Sequence, residues 1–145
     1  MLTSLYRNLA RNRWQYAIAA SAILFYLSSL SIRQPGTWPY LDKVEHITAY
    51  TLLSLAYFNV ISRAGSRMGW RIALGTWLAV VAYGISDECH QYFVPGRTAD
   101  VADVLADAVG GAVGIIIASA MRAGFVRRVQ GRLPGDDFGG SAATK

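Results

Sequence analysis

The sequence predicts an all-α fold, a polytopic bundle of four transmembrane helices, on three observations. Apolar residues make up 53% of the 145, and they fall into four blocks with long charge-free stretches, unlike the mixed pattern of a small soluble domain. Arginines gather at the flanks of those blocks with a bias to alternate sides. None of the blocks shows the two-residue alternation of a barrel strand.

The first block runs from about Trp14 to Leu30, behind Arg7, Arg11 and Arg13. A secretory signal peptide, cleaved near Ser29 and Ser31, is the rival assignment. The apolar run is long for such a peptide, and a first span fits the charge pattern. The second block runs from about Lys43 to Ile61, the third from Trp70 to Ile85 and the fourth from Val101 to Met121. Each is near the roughly 20 residues that cross a bilayer as a helix. Residues 1–130 thus make one four-helix transmembrane domain. The stretch 131–145, rich in Gly, Ser, Ala and Asp, reads as a disordered cytoplasmic tail.

Arginine placement sets the orientation. Arg7, Arg11 and Arg13 precede the first block, Arg63, Arg67 and Arg71 lie between the second and third, and Arg122, Arg127, Arg128 and Arg132 follow the fourth. The other two loops hold Arg33, Lys43 and Arg97. Both termini are therefore expected in the cytoplasm, with the loops around Gln34–Leu41 and Ser86–Ala99 facing outward. Trp38, Tyr40, Tyr92 and Phe93 suit the outer aromatic belt. The net charge of +5 belongs to these flanks rather than to nucleic-acid binding, for which no motif is present. The single cysteine, Cys89, excludes an intrachain disulfide and a cysteine metal cluster.

The acids are distributed asymmetrically. Asp136 and Asp137 are in the tail, and the other seven (Asp42, Glu45, Asp87, Glu88, Asp100, Asp103 and Asp107) all lie at the outward ends of the second, third and fourth spans. His46 is 17 residues from Arg63, Glu88 is 17 from Arg71, and Asp107 is 15 from Arg122. At the helical rise these are roughly 22 to 26 Å from the cytoplasmic surface, inside the outer half of a core about 30 Å thick. Ionisable groups at that depth face one another rather than lipid. Asp100, Asp103 and Asp107 share one helix face, and Asp42, His46 and Tyr50 share another. Glu88 and Gln91 are three apart on the third helix. Three polar stripes thus converge on one outward-facing cavity, and the pair Gly110 and Gly114 permits close helix contact just below it.

Plainer roles compete for several of these residues. Asp100 suits the first turn of the fourth helix, and Asp42 with Glu45 suits a capping box on the second. Asp103 and Asp107 suit an internal salt bridge with Arg97, and His46 suits a hydrogen-bonded core position. Cys89 and His90 read as bystanders, and Pro95-Gly96 as a turn.

The pattern Asp42-Lys43-x-x-His46-x-x-x-Tyr50, followed by Glu88-x-x-Gln91-x-x-x-Pro95-x-Arg97-x-x-Asp100-x-x-Asp103-x-x-x-Asp107-x-x-Gly110-x-x-x-Gly114, resembles the VanZ-like family of bacterial membrane proteins. The likeness covers roughly Leu41 to Ile116. The chain departs from it at Asp107, where family members usually carry Asn. The resemblance implies a multi-pass protein of the bacterial inner (cytoplasmic) membrane with a role in the cell envelope. It also implies a link to glycopeptide resistance, because the founding member is associated with low-level resistance to teicoplanin.

Three functions follow from the residues. The first is binding or handling a membrane lipid or lipid-linked envelope precursor. Arg97 would pair with phosphate, Lys43 would assist, and Tyr50, Gln91, Asp42 and Asp100 would make polar contacts. The second is a divalent-metal-dependent hydrolase or transferase acting on a lipid phosphate. There His46, Glu88, Asp103 and Asp107 are the catalytic set and the metal shell, or His46 is the general base. The third is a proton- or ion-coupled carrier, which four short spans support only as a homo-oligomer.

Overall fold

A computed structural model describes residues 13–30, 40–62 and 69–130, with side chains to residue 125. Arg7, Arg11, Arg33, Trp38, Arg63, Arg67, Arg132 and the expected tail 131–145 lie outside the described residues. Four helices follow one another: α1 (Arg13–Ser28), α2 (Leu41–Ile61), α3 (Trp70–Gln91) and α4 (Val101–Gln130). No strand occurs among the described residues, so the all-α expectation holds. Among the described residues, one of the four expected spans, α4 over Val101–Phe125, is by itself long and apolar enough to cross a membrane. The described part of α1 has 16 residues, α2 opens on Asp42, Lys43 and Glu45, and α3 carries Arg71, Asp87 and Glu88.

Two helices outrun their apolar blocks. α3 continues six residues beyond Ile85, so Ser86–Gln91 is helix rather than loop. The extra turns bury Asp87, Glu88 and Gln91, and no proline interrupts before Pro95. α4 likewise passes Met121 and runs through the arginines to Gln130. Hydropathy marks where apolar residues stop, whereas backbone hydrogen bonding stops only where a breaker or a loop ends it. At the start of α2, Tyr40 is the N-cap and Asp42 lies inside the first turn, so the capping box does not form. Val94–Arg97 is a turn closed by Arg97 N–H donating to Val94 O at 3.1 Å. Pro95 and a positive φ of 80° at Gly96 suit its two central positions.

α2 and α4 form the tightest pair. A Cβ on Gly110 would stand 2.5 Å from the carbonyl oxygen of Ile47, and one on Gly114 would stand 2.6 Å from that of Thr51. Two hydroxyls use this closeness, Thr51 donating to Gly110 O at 3.1 Å and Ser54 to Gly111 O at 2.8 Å. α3 closes on α4 at Gly84, where a Cβ would meet Asp107 Oδ2 at 2.7 Å. Trp77 Nε1 donates to Ala108 O across the same seam at 3.0 Å. α1 leans on the bundle through Tyr83 OH donating to Ser21 O at 2.6 Å and through Ser21 and Tyr57 hydroxyls 3.0 Å apart.

The distribution of polarity is inverted. Among the described residues, ten buried side chains are polar or charged and seven are apolar. Leu52, Leu78, Ile85, Leu105, Val109 and Ile116 point outward, each at least half exposed. The helices therefore turn polar faces inward and aliphatic faces out.

Candidate functional site

The start of α2, the end of α3 and the start of α4 bring the ionisable stripes together. Asp107, fully buried on α4, sets its Oδ1 2.8 Å from His46 Nδ1 on α2. An ionised carboxylate can only accept, so Nδ1–H is the donor. The ring's other nitrogen, Nε2, then lies 3.9 Å from Asp103 Oδ1. One turn nearer the start of α2, the Lys43 ammonium meets Asp103, Asp100 Oδ2 at 2.8 Å and Asp42 Oδ2 at 3.6 Å. Among the described residues the Lys or Arg on this cluster is thus Lys43, and the salt bridge weighed for Arg97 with Asp103 or Asp107 is not made. Asp100 precedes α4 and caps it, its Oδ1 accepting the Ala102 N–H at 2.9 Å. The Asp100 N–H in turn donates to Glu88 Oε2 at 2.9 Å.

A second set of bonds runs along α3. Arg97 Nε and Nη2 donate to Gln91 Oε1 at 3.1 and 2.7 Å. Gln91 Nε2 donates to Asp87 Oδ2 at 3.1 Å, and Tyr50 OH donates to the same oxygen at 3.4 Å. The His46 and Tyr50 rings are nearly parallel with centroids 6.2 Å apart, so the two networks meet on α2. Asp87 is the residue the stripes left out. Its signal was present as the i, i+4 pair Asp87 and Gln91, on the face adjoining that of Glu88. His90 lies apart from this site. Its Nε2 stands 2.9 Å from Ser29 Oγ, and its ring lies 4.3 Å from that of Phe25. Cys89 is exposed.

Among the described residues, three buried carboxylate oxygens lack a hydrogen-bond partner: Asp87 Oδ1, Glu88 Oε1 and Asp107 Oδ2. In each case the second oxygen of the carboxylate is held by a donor, so the group is oriented with one oxygen left bare. The metal-sized cluster is a different one. Asp42, His46 and Asp103 each offer a ligand atom within 4.8 Å of the others. That set shares His46 and Asp103 with the four expected metal residues and takes Asp42 in place of Glu88 and Asp107.

Beside this polar end runs a groove of about 810 Å³, within the size of small-molecule sites. Its wall is apolar over most of its length, from Ala20, Ile23, Leu24 and Leu27 of α1 and Val44, Ala49, Leu52 and Leu53 of α2. Its polar end is formed by Asp42, Glu45, His46, Tyr50, Asp87, Gln91 and Arg97. Lys43, Asp100, Asp103, Asp107 and Glu88 do not line it. They stand behind it, on the α2–α4 and α3–α4 seams.

The VanZ/LLP1 family model matches residues 4–122. The chain belongs to the VanZ/LLP1 family. No curated protein and no solved structure matches it. The VanZ-like match covers α1 to α3, α4 as far as Arg122, and both polar networks.

Proposed function

We propose that this VanZ-like protein is embedded in the bacterial inner membrane by four spans, with both termini cytoplasmic, and binds a lipid or lipid-linked envelope precursor from the outer leaflet. The inverted polarity of the bundle supports embedding. A helix bundle in water hides its leucines, whereas one in hydrocarbon exposes them and satisfies its polar groups internally. The groove between α1 and α2 carries the lipid reading, because it joins a long aliphatic wall to a polar end containing the Arg97 guanidinium. An acyl chain suits the wall. Arg97, held in place by Gln91 through two hydrogen bonds, suits a phosphate, with Tyr50 and Asp42 beside it. Any effect on teicoplanin sensitivity would follow from this handling of envelope lipid.

The test is lipid retention by the purified protein. Native mass spectrometry should find phospholipid bound to the wild type, and Arg97→Ala should weaken that binding about tenfold or more, as loss of a charge-assisted contact does. Lipid-free protein that takes up no phospholipid from mixed micelles would end this reading.

A second reading is favoured by His46, which lines the groove while Asp107 holds its Nδ1. That arrangement suits a general base acting on a lipid phosphate head, with or without a divalent metal. Turnover of a phospholipid by the wild type, lost in His46→Ala, would raise it above simple binding.

A further inference from the structure

Asp87 combines three properties that no other groove residue shares. It is an acid, it is 5% exposed, and it lines the groove while one of its oxygens, Oδ1, has no hydrogen-bond partner among the described residues. Its other oxygen is fixed by Gln91 and Tyr50, which aligns the carboxylate. A buried, aligned carboxylate with one bare oxygen asks for a hydrogen-bond donor, and a charged donor satisfies it best.

Gln91 sets the distance to the opposite charge. Its amide nitrogen donates to Asp87 and its amide oxygen accepts from Arg97. Asp87 Oδ2 therefore stands at most about 8 Å from Arg97 Nη2, the span of one primary amide and its two hydrogen bonds. An acid and a base are held side by side at the head of an aliphatic groove. Asp42 and Glu45 line the same end, so among the described residues acids outnumber the Arg97 guanidinium there, and a head group bearing only negative charge meets net repulsion. The Lys43 ammonium behind this end offsets only part of that charge, because Asp42 shares it with Asp100 and Asp103.

We infer that the head group bound in this groove is a zwitterion with a primary ammonium beside its phosphate, the ammonium donating to Asp87 Oδ1 and the phosphate accepting from Arg97. This rests on the lipid-binding reading above and names its ligand class. A quaternary ammonium carries the same charge but has no N–H to give the bare oxygen. A glycerol head has donors but leaves the carboxylate charge uncompensated.

The test uses the full-length protein in detergent and three phospholipids with identical acyl chains, bearing ethanolamine, choline or glycerol heads. Binding is read by native mass spectrometry or by competition with a fluorescent phospholipid. The ethanolamine lipid should bind at least about tenfold tighter than either of the others. On the wild type, stepwise N-methylation of the ethanolamine head should weaken binding progressively, which tests the donor without altering the protein. Asp87→Asn should abolish the preference for ethanolamine over choline, whereas Arg97→Ala should weaken all three lipids together. Choline or glycerol heads binding as tightly as ethanolamine would overturn the ammonium assignment and leave lipid binding standing. Failure of all three lipids to bind would overturn the lipid reading itself.

Discussion

His46 Nδ1 lies 2.8 Å from Asp107 Oδ1, so an imidazole on α2 is held by a fully buried carboxylate on α4. The contact is directional on both sides. Asp107 is pinned against α3 at Gly84, and the His46 ring runs parallel to Tyr50 on its own helix. Removing the acid should therefore do more than delete one bond. Asp107→Leu should destabilise the protein by about 3 to 5 kcal/mol, the range for breaking a buried pair. Asp107→Asn keeps an acceptor for the ring and removes the charge from the unpartnered Oδ2, so it should change stability by less than about 1 kcal/mol. A double-mutant cycle of His46→Leu with Asp107→Leu, read by unfolding in detergent, should give a coupling of at least about 1 kcal/mol. Additive effects would mean that the two residues do not act as a pair.

The meeting of His46 with Asp107 is legible in the sequence, because Asp42, His46 and Tyr50 repeat every four residues while Asp103 and Asp107 share a face of the next polar helix. Which cation serves which acid is not legible. Lys43 and Arg97 are both long side chains near the cluster. The deciding factor is the turn at Pro95-Gly96, which places Arg97 against Gln91, while Lys43 projects from the first turn of α2 toward α4. Asp87 is missed for a related reason. Adjacent residues on a helix point about 100° apart, so ranking Glu88 with Gln91 hides Asp87, and only the packing of α2 shows that both faces are buried. The ends of α3 and α4 escape a hydropathy reading because charged residues continue both helices.

Glycines at the α2–α4 seam give a sharper test of the packing. Gly110→Ala and Gly114→Ala each drive a Cβ into backbone carbonyls of α2, which cannot move without parting the helices. Each should destabilise by about 1 to 3 kcal/mol, as overpacking does. Gly75 has nothing within 4 Å of an added Cβ, so Gly75→Ala should be neutral or should stabilise by up to about 1 kcal/mol through helix propensity. Thermal unfolding of the three variants in one detergent makes the comparison. Equal effects at positions 75 and 110 would contradict the close seam.

The proposed orientation rests on ten arginines placed around the three expected cytoplasmic segments. Reporter fusions after Gln130 should read cytoplasmic, and fusions at Pro35 or Gly96 should read external. An external C-terminus would put the groove's polar end on the cytoplasmic side, and the ligand would then have to come from the inner leaflet.

Lys43 supplies the last prediction, because its ammonium sits among the oxygens that a metal would use. Asp42, His46 and Asp103 present ligand atoms within 4.8 Å of one another, a spacing that suits a divalent ion with mixed oxygen and imidazole ligands. Lys43 contacts Asp103 directly and reaches Asp100 at 2.8 Å and Asp42 at 3.6 Å. A tethered ammonium there offsets part of the acids' charge without an ion, and an incoming metal must first displace it. Lys43→Met keeps the aliphatic stem and removes the charge. The variant should bind Mn²⁺ or Zn²⁺ at least about tenfold tighter than the wild type, because the competing cation is gone. Titration calorimetry and metal-dependent thermal stabilisation would both read the gain, and Asp103→Asn added to Lys43→Met should abolish it. Wild-type protein that already holds a near-stoichiometric divalent ion would reverse the conclusion. Lys43 would then have to swing off Asp103, and the metal-assisted reading would replace a site partly neutralised by its own lysine.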